Sequence, residues 1–169
     1  MNKLLTRRSF LVIILLLILL SGCGYALRPK TEGAKKVAVS TFANGTFKPG
    51  LETIARDLLL QRLAQRKVPI VAPSEADWTL QGTITRYSAD GVAYDDRDIS
   101  REYRLTITIS AVLKERVSQK TLWEDALSAF SYYYTGPNVA ATEIAEHDGA
   151  TRALEELSQM LASRLMEDF

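Results

Sequence analysis

YRLTITISAVL, residues 103–113, sets Tyr103, Leu105, Ile107, Ile109, Ala111 and Leu113 against Arg104, Thr106, Thr108, Ser110 and Val112. Successive side chains of an extended chain point to opposite sides, so a period of two over this length predicts a β-strand. One side is apolar and must meet a core; the other is mostly hydroxylic and can stay wet or meet a partner. The sheet holding this strand is therefore expected to be covered on one face only.

Working outward, Trp78–Tyr87 alternates in the same way, with Leu80, Gly82 and Ile84 opposed to Thr79, Gln81, Thr83 and Thr85. Between the two runs, 91–101 carries Asp95, Asp96, Arg97 and Asp98 and is expected to be a long exposed hairpin connection. After Ser118-Gln119-Lys120 a last strand is expected over Thr121–Tyr134, stopped by Gly136-Pro137. Asn138 can cap a helix running to about Met166, with Ile144, Ala150, Leu154, Leu157, Leu161 and Leu165 as its apolar stripe. Upstream, Lys35–Phe42 reads as a strand that turns at Asn44-Gly45. Pro49-Gly50 then opens an amphipathic helix, Leu51–Arg66, and Val68–Ala72 is a further short strand candidate. The fold class expected is α/β of the α+β kind, a two-layer sandwich. A mixed, mostly antiparallel sheet of four to five strands would carry two helices on one face. If the first two strands are parallel neighbours, the helix between them makes a crossover, and the remaining strands form a meander.

The chain begins differently. Lys3, Arg7 and Arg8 precede an unbroken apolar run, Phe10–Leu20, followed by Ser21 and Gly22. That is the pattern of a secretory signal peptide, and the run falls short of the roughly 20 residues a membrane span needs. The domain reading is therefore 1–22 signal peptide, 23–36 tether and 37–169 a single α/β domain. The full chain holds 21 basic and 20 acidic residues. Without the leader the balance is slightly acidic, about −2, which makes nucleic acid a poor ligand.

Catalytic and metal chemistry find little support in the residues. Cys23 and His147 are each the only residue of their type, so neither a disulfide nor a Cys/His metal site can be assembled from them. No serine sits in a nucleophile elbow. Asp95, Asp96 and Asp98 lack calcium-loop spacing. With Glu102 and Glu124 they would make a sugar hydrolase only if two of them shared a dry pocket. No cofactor and no enzymatic activity are expected. Arg86, Arg97, Arg101 and Arg104 form one basic group around the hairpin, and Lys114, Arg116 and Lys120 a second group. Either group could meet phosphate, or simply pair with neighbouring acids. Trp123, Phe130, Tyr132, Tyr133 and Tyr134 make the last strand aromatic on both sides, with Tyr133 facing opposite to Tyr132 and Tyr134. They read either as cross-strand packing or as a surface for a partner, to which Thr106 and Thr108 would also belong.

Two resemblances add to this. Leu20-Ser21-Gly22-Cys23 resembles the lipobox of bacterial lipoproteins. The resemblance implies cleavage before Cys23, lipidation of its thiol with palmitate-type chains, and a membrane anchor. Gly24 stands where an Asp would signal inner-membrane retention, so the resemblance implies the periplasmic face of the outer membrane. The ordered set Cys23-Gly24-Tyr25-Ala26-Leu27-Arg28, Val37–Thr46, Pro49-Gly50-Leu51-Glu52, Ala76–Ile84, Glu102–Ile109 and Leu122-Trp123-Glu124 resembles the LptE family of lipopolysaccharide-assembly lipoproteins. That resemblance implies a non-enzymatic partner that plugs the outer-membrane β-barrel LptD, helps it assemble and contacts lipopolysaccharide in transit. Strand-then-helix accessory lipoproteins of curli secretion and of penicillin-binding-protein activation share parts of the pattern.

Overall fold

The computed structural model describes residues 35–168; the signal peptide and tether expected from the sequence, and Cys23, lie outside them except for residues 35 and 36. The elements are β1 (Val37–Val39), β2 (Ala43–Asn44), α1 (Leu51–Gln65), β3 (Trp78–Tyr94), β4 (Ser100–Glu115), β5 (Thr121–Tyr134) and α2 (Val139–Met166). They form a five-stranded sheet in the order β1-β3-β4-β5, with β2 also paired to β3. Both β1 and β2 run parallel to β3, whereas β3-β4-β5 is an antiparallel meander. This is the mixed α+β sandwich that the patterning implied.

Burial follows the alternation of β4. Leu105, Ile107, Ile109, Ala111 and Leu113 are all essentially inaccessible, as are Leu80 and Ile84 of β3. Above them lie Leu51, Ala55, Leu59 and Leu63 of α1, spaced four apart so that they form one stripe, and Leu154, Leu157, Leu161 and Leu165 of α2. Each Leu or Ile side chain so taken from water stabilises the fold by about 1.5–3 kcal/mol.

The expected first strand, Lys35–Phe42, is split. β1 ends at Val39, and the chain leaves the ladder so that Phe42, 2% exposed, can enter the core. Its ring lies over Gly82, where a Cβ would come within 2.6 Å of it. Only a residue without a side chain admits that ring.

Val68–Ala72 does not form the expected strand. It contributes a single parallel bridge, Val37 to Ile70, with Val37 N–H donating to Pro69 O (2.9 Å) and Val71 N–H to Val37 O (3.1 Å). Pro69 and Pro73 have no N–H to extend a ladder. The parallel neighbour of β1 and β2 across α1 is therefore β3.

The 91–101 connection is also shorter than expected. β3 and β4 extend into it, leaving only 95–99 as the turn. Asp95 organises that turn: its Oδ1 accepts from Arg97 N and Ile99 N, both at 3.0 Å, and its Oδ2 pairs with Arg101 at 2.6 Å.

The polar turn at Asn44 likewise has a specific structure. Asn44 Nδ2 donates to Lys48 O and to Glu52 Oε2, each at 2.7 Å, while its Oδ1 accepts from Thr46 N and Oγ1. Gly50, with φ of 87°, supplies the left-handed step into α1. At the other helix end Asn138 caps α2, its side chain accepting from Ala141 N at 2.8 Å.

Candidate functional site

With both helices on one face, the other face of the sheet is uncovered. The register places Thr106 beside Ser88 and Phe130, Thr108 beside Arg86 and Ser128, Ser110 beside Thr83 and Ala126, and Arg104 beside Asp90 and Tyr132. The middle of this face is a field of hydroxyls, and Thr108 Oγ1 and Ser128 Oγ share a hydrogen bond of 2.8 Å. Apolar groups gather towards the hairpin end instead. Phe130, Tyr132 and Tyr134 follow each other along β5, and Val92, Tyr94 and Ile99 surround the tip; all six are exposed.

The aromatic row is held in place. The Arg104 guanidinium lies 4.0 Å from the centre of the Phe130 ring, and Tyr132 meets that ring edge-on at 5.7 Å. Tyr134 hydrogen-bonds Glu102, which raises its pKa. Tyr133 does not belong to this surface. It points to the helix side, is buried, and stacks on Tyr103 with ring centres 5.3 Å apart.

The basic residues separate into engaged and free ones. Arg101 is bound to Asp95, Arg104 to the Phe130 ring, and Arg116 Nε to Ala76 O at 2.6 Å. No side-chain partner is recorded among the described residues for Arg86, Arg97, Lys114 or Lys120. Arg86 stands on the open face, Arg97 at the hairpin tip, and Lys114 and Lys120 at the far end of β4 and its turn. The two groups thus lie towards opposite ends of β4, as their positions in the sequence imply, with Arg86 nearer the middle of the open face.

The acids scatter as well: Asp95 is spent on the turn, Glu102 on Tyr134, and Glu124 sits at the opposite end of the open face beside Val112. Among the described residues no group of three or more metal-binding side chains is present.

One polar cluster escaped the sequence reading. Glu146 of α2 accepts from Tyr87 Oη at 2.5 Å and from Lys48 Nζ at 2.7 Å, and Phe47 packs edge-on against Tyr87. These residues come from α2, β3 and the β2–α1 loop, and nothing in their spacing links them. Burial pushes the Glu146 carboxyl up, but its bonds to Lys48 and Tyr87 outweigh this and hold it below its ordinary value. Burial, then Glu146 itself, pushes Tyr87 far up, and burial takes Tyr133 up to about 12. A carboxyl depressed on folding contributes stability above its unfolded pKa of about 4.3 and loses it as pH falls through the folded value. Replacing Glu146 with Gln should therefore flatten the acid limb of a stability–pH profile below about pH 5, as urea titrations would record.

The profile of the LptE family, described as lipopolysaccharide-assembly, matches residues 34–168, which is most of the chain. The chain belongs to the LptE family. Members are non-catalytic lipopolysaccharide-assembly lipoproteins, and the uncovered face is a feature this LptE-family fold leaves available. Solved structures agree on the fold. A minor lipoprotein from Acinetobacter baumannii is 15% identical, with a TM-score of 0.56 over 80% of this chain and 94% of its own. A protein from Xanthomonas campestris is 11% identical, with a TM-score of 0.57 over 84% and 93% of the two chains. No curated protein matches in sequence. Its family is one of lipopolysaccharide assembly.

Proposed function

We propose that this LptE-family chain is anchored by acyl groups on Cys23 to the periplasmic face of the outer membrane, after removal of residues 1–22. There it packs inside an LptD-type β-barrel and takes part in moving lipopolysaccharide to the outer leaflet, making and breaking no covalent bond. The observation that carries the reading is the asymmetry of the sheet. One face is sealed by α1 and α2, while the other presents Thr106, Thr108, Ser110 and Ser128 with an aromatic row at one end. The exposed Tyr and Phe of the aromatic row are residue types enriched at protein interfaces, and the hydroxyl field beside them offers hydrogen-bonding groups. Phe130, Tyr132, Tyr134 and the hairpin tip would supply the apolar anchors, with Thr106 and Thr108 at the wetter centre.

Of the cations named from sequence, Arg86, Arg97, Lys114 and Lys120 retain uncommitted charge for phosphates of the transiting glycolipid. Arg101, Arg104 and Arg116 serve first as internal braces. The test is affinity purification of the full-length lipoprotein from detergent-solubilised outer membrane. A stoichiometric β-barrel protein should accompany it, and its absence would remove the reading.

A further inference from the structure

α2 is one helix by hydrogen bonding but two by burial. From Gly149 onward it sinks Gly149, Ala150, Ala153, Leu154, Leu157, Ser158, Leu161, Ala162 and Leu165 into the core. From Val139 to Asp148 no residue is fully buried, and Val139 and Ile144 are 75% and 64% exposed. Ile144, which the apolar spacing assigned to the core stripe, faces water.

We infer that Val139–Asp148 is a hinged flap, closed onto the sheet by the Glu146 contacts with Tyr87 and Lys48 and turning between Gly149 at one end and the 135–138 link to β5 at the other. Four observations converge on this. The overhanging half makes few core contacts, with Ala145 the one apolar side chain there that packs against the core. Its ionic tie to the rest of the domain is Glu146, which holds two elements at once. Between it and the Lys48–Leu51 segment runs a half-open cleft of about 250 Å³, lined in part by Lys48, Tyr87, Glu143 and His147, so this edge of the helix is not packed against its neighbour.

The junction itself is built to bend. Glycine weakens a helix interior relative to alanine. Thr151 Oγ1 bonds back to His147 O at 3.0 Å, a contact that bends helices. Ser131 Oγ grips Gly149 O at 2.7 Å, fixing the pivot to β5. Opening would uncover the Tyr87 and Tyr133 rings and the Tyr103 ring stacked beside them, an aromatic shelf on the otherwise sealed face. This inference stands independently of the barrel reading, because it concerns the free lipoprotein.

Hydrogen exchange of the full-length lipoprotein in detergent, read by mass spectrometry, tests it. Amides of 143–148 should exchange by local opening, faster than those of 154–162. Glu146→Ala, which raises intrinsic helix propensity while cutting the latch, should speed the flap on the order of tenfold and leave 154–162 unchanged. Tyr87→Phe keeps the ring and should speed the same segment less. Equal exchange in both halves of the unaltered protein, or acceleration by Glu146→Ala that spreads evenly along α2 or is absent, would overturn the inference.

Discussion

Gly82→Ala should cost about 1–3 kcal/mol, an overpacking penalty that is large for one methyl group. The added Cβ would stand 2.6 Å from the Phe42 ring, and that ring is 2% exposed and cannot move aside without opening the core between β2, β3 and α1. The cause can be separated from a general glycine effect, because β-propensity alone favours alanine over glycine within a strand. Phe42→Leu removes the ring face that the new methyl strikes and should make Gly82→Ala cheaper in the double variant. The expected coupling in urea denaturation is about 0.5–3 kcal/mol, the range for residues in direct contact. Additive costs would mean that the close approach of Phe42 to Gly82 is not what places glycine there.

Cys23→Ala has the largest effect expected on behaviour. Each buried acyl methylene contributes about 0.8 kcal/mol, and two or more chains make an anchor that does not leave the bilayer on a cellular timescale. Among the described residues no helix is long and apolar enough to cross a membrane. The unaltered chain should incorporate labelled palmitate and lose residues 1–22, whereas Cys23→Ala should incorporate no label. Labelling that persists in the variant would place the lipid elsewhere on this chain, and an unaltered chain that takes up no label would remove the anchor.

The parts of the fold legible in sequence are those where one physical requirement repeats. Residues 103–113 alternate without a break because every second side chain of β4 meets the helix layer. The four-residue spacing of Leu51, Ala55, Leu59 and Leu63 is equally plain for the same reason. Legibility fails where the repeat is interrupted. Beyond Ile84, β3 carries an extra residue between Ile84 and Arg86 and another between Gly91 and Ala93, each of which inverts its alternation, and a third shift beside Tyr94 falls on β4. The strand therefore looked finished at Tyr87 although it continues to Tyr94.

Ile144 kept helical period with the core residues of α2 but lies where that helix overhangs its support, which periodicity cannot register. The uncovered face was visible in the threonines of β4. The triad of Lys48, Tyr87 and Glu146 was not, since its members are brought together only by the folded sheet. Tyr133 separated from Tyr132 and Tyr134 simply by strand parity, as the sequence implied; its depth came from α2 lying over it.

The most direct test of the account is photocrosslinking from single positions of the full-length lipoprotein in intact cells. Thr106 and Thr108 report from the centre of the open face, and Glu155 and Gln159 from the solvent side of α2. The account expects an outer-membrane β-barrel protein to be trapped from Thr106 or Thr108 and not from the α2 positions. Barrel crosslinks that arise only from Glu155 or Gln159, or from none of the four, would contradict it.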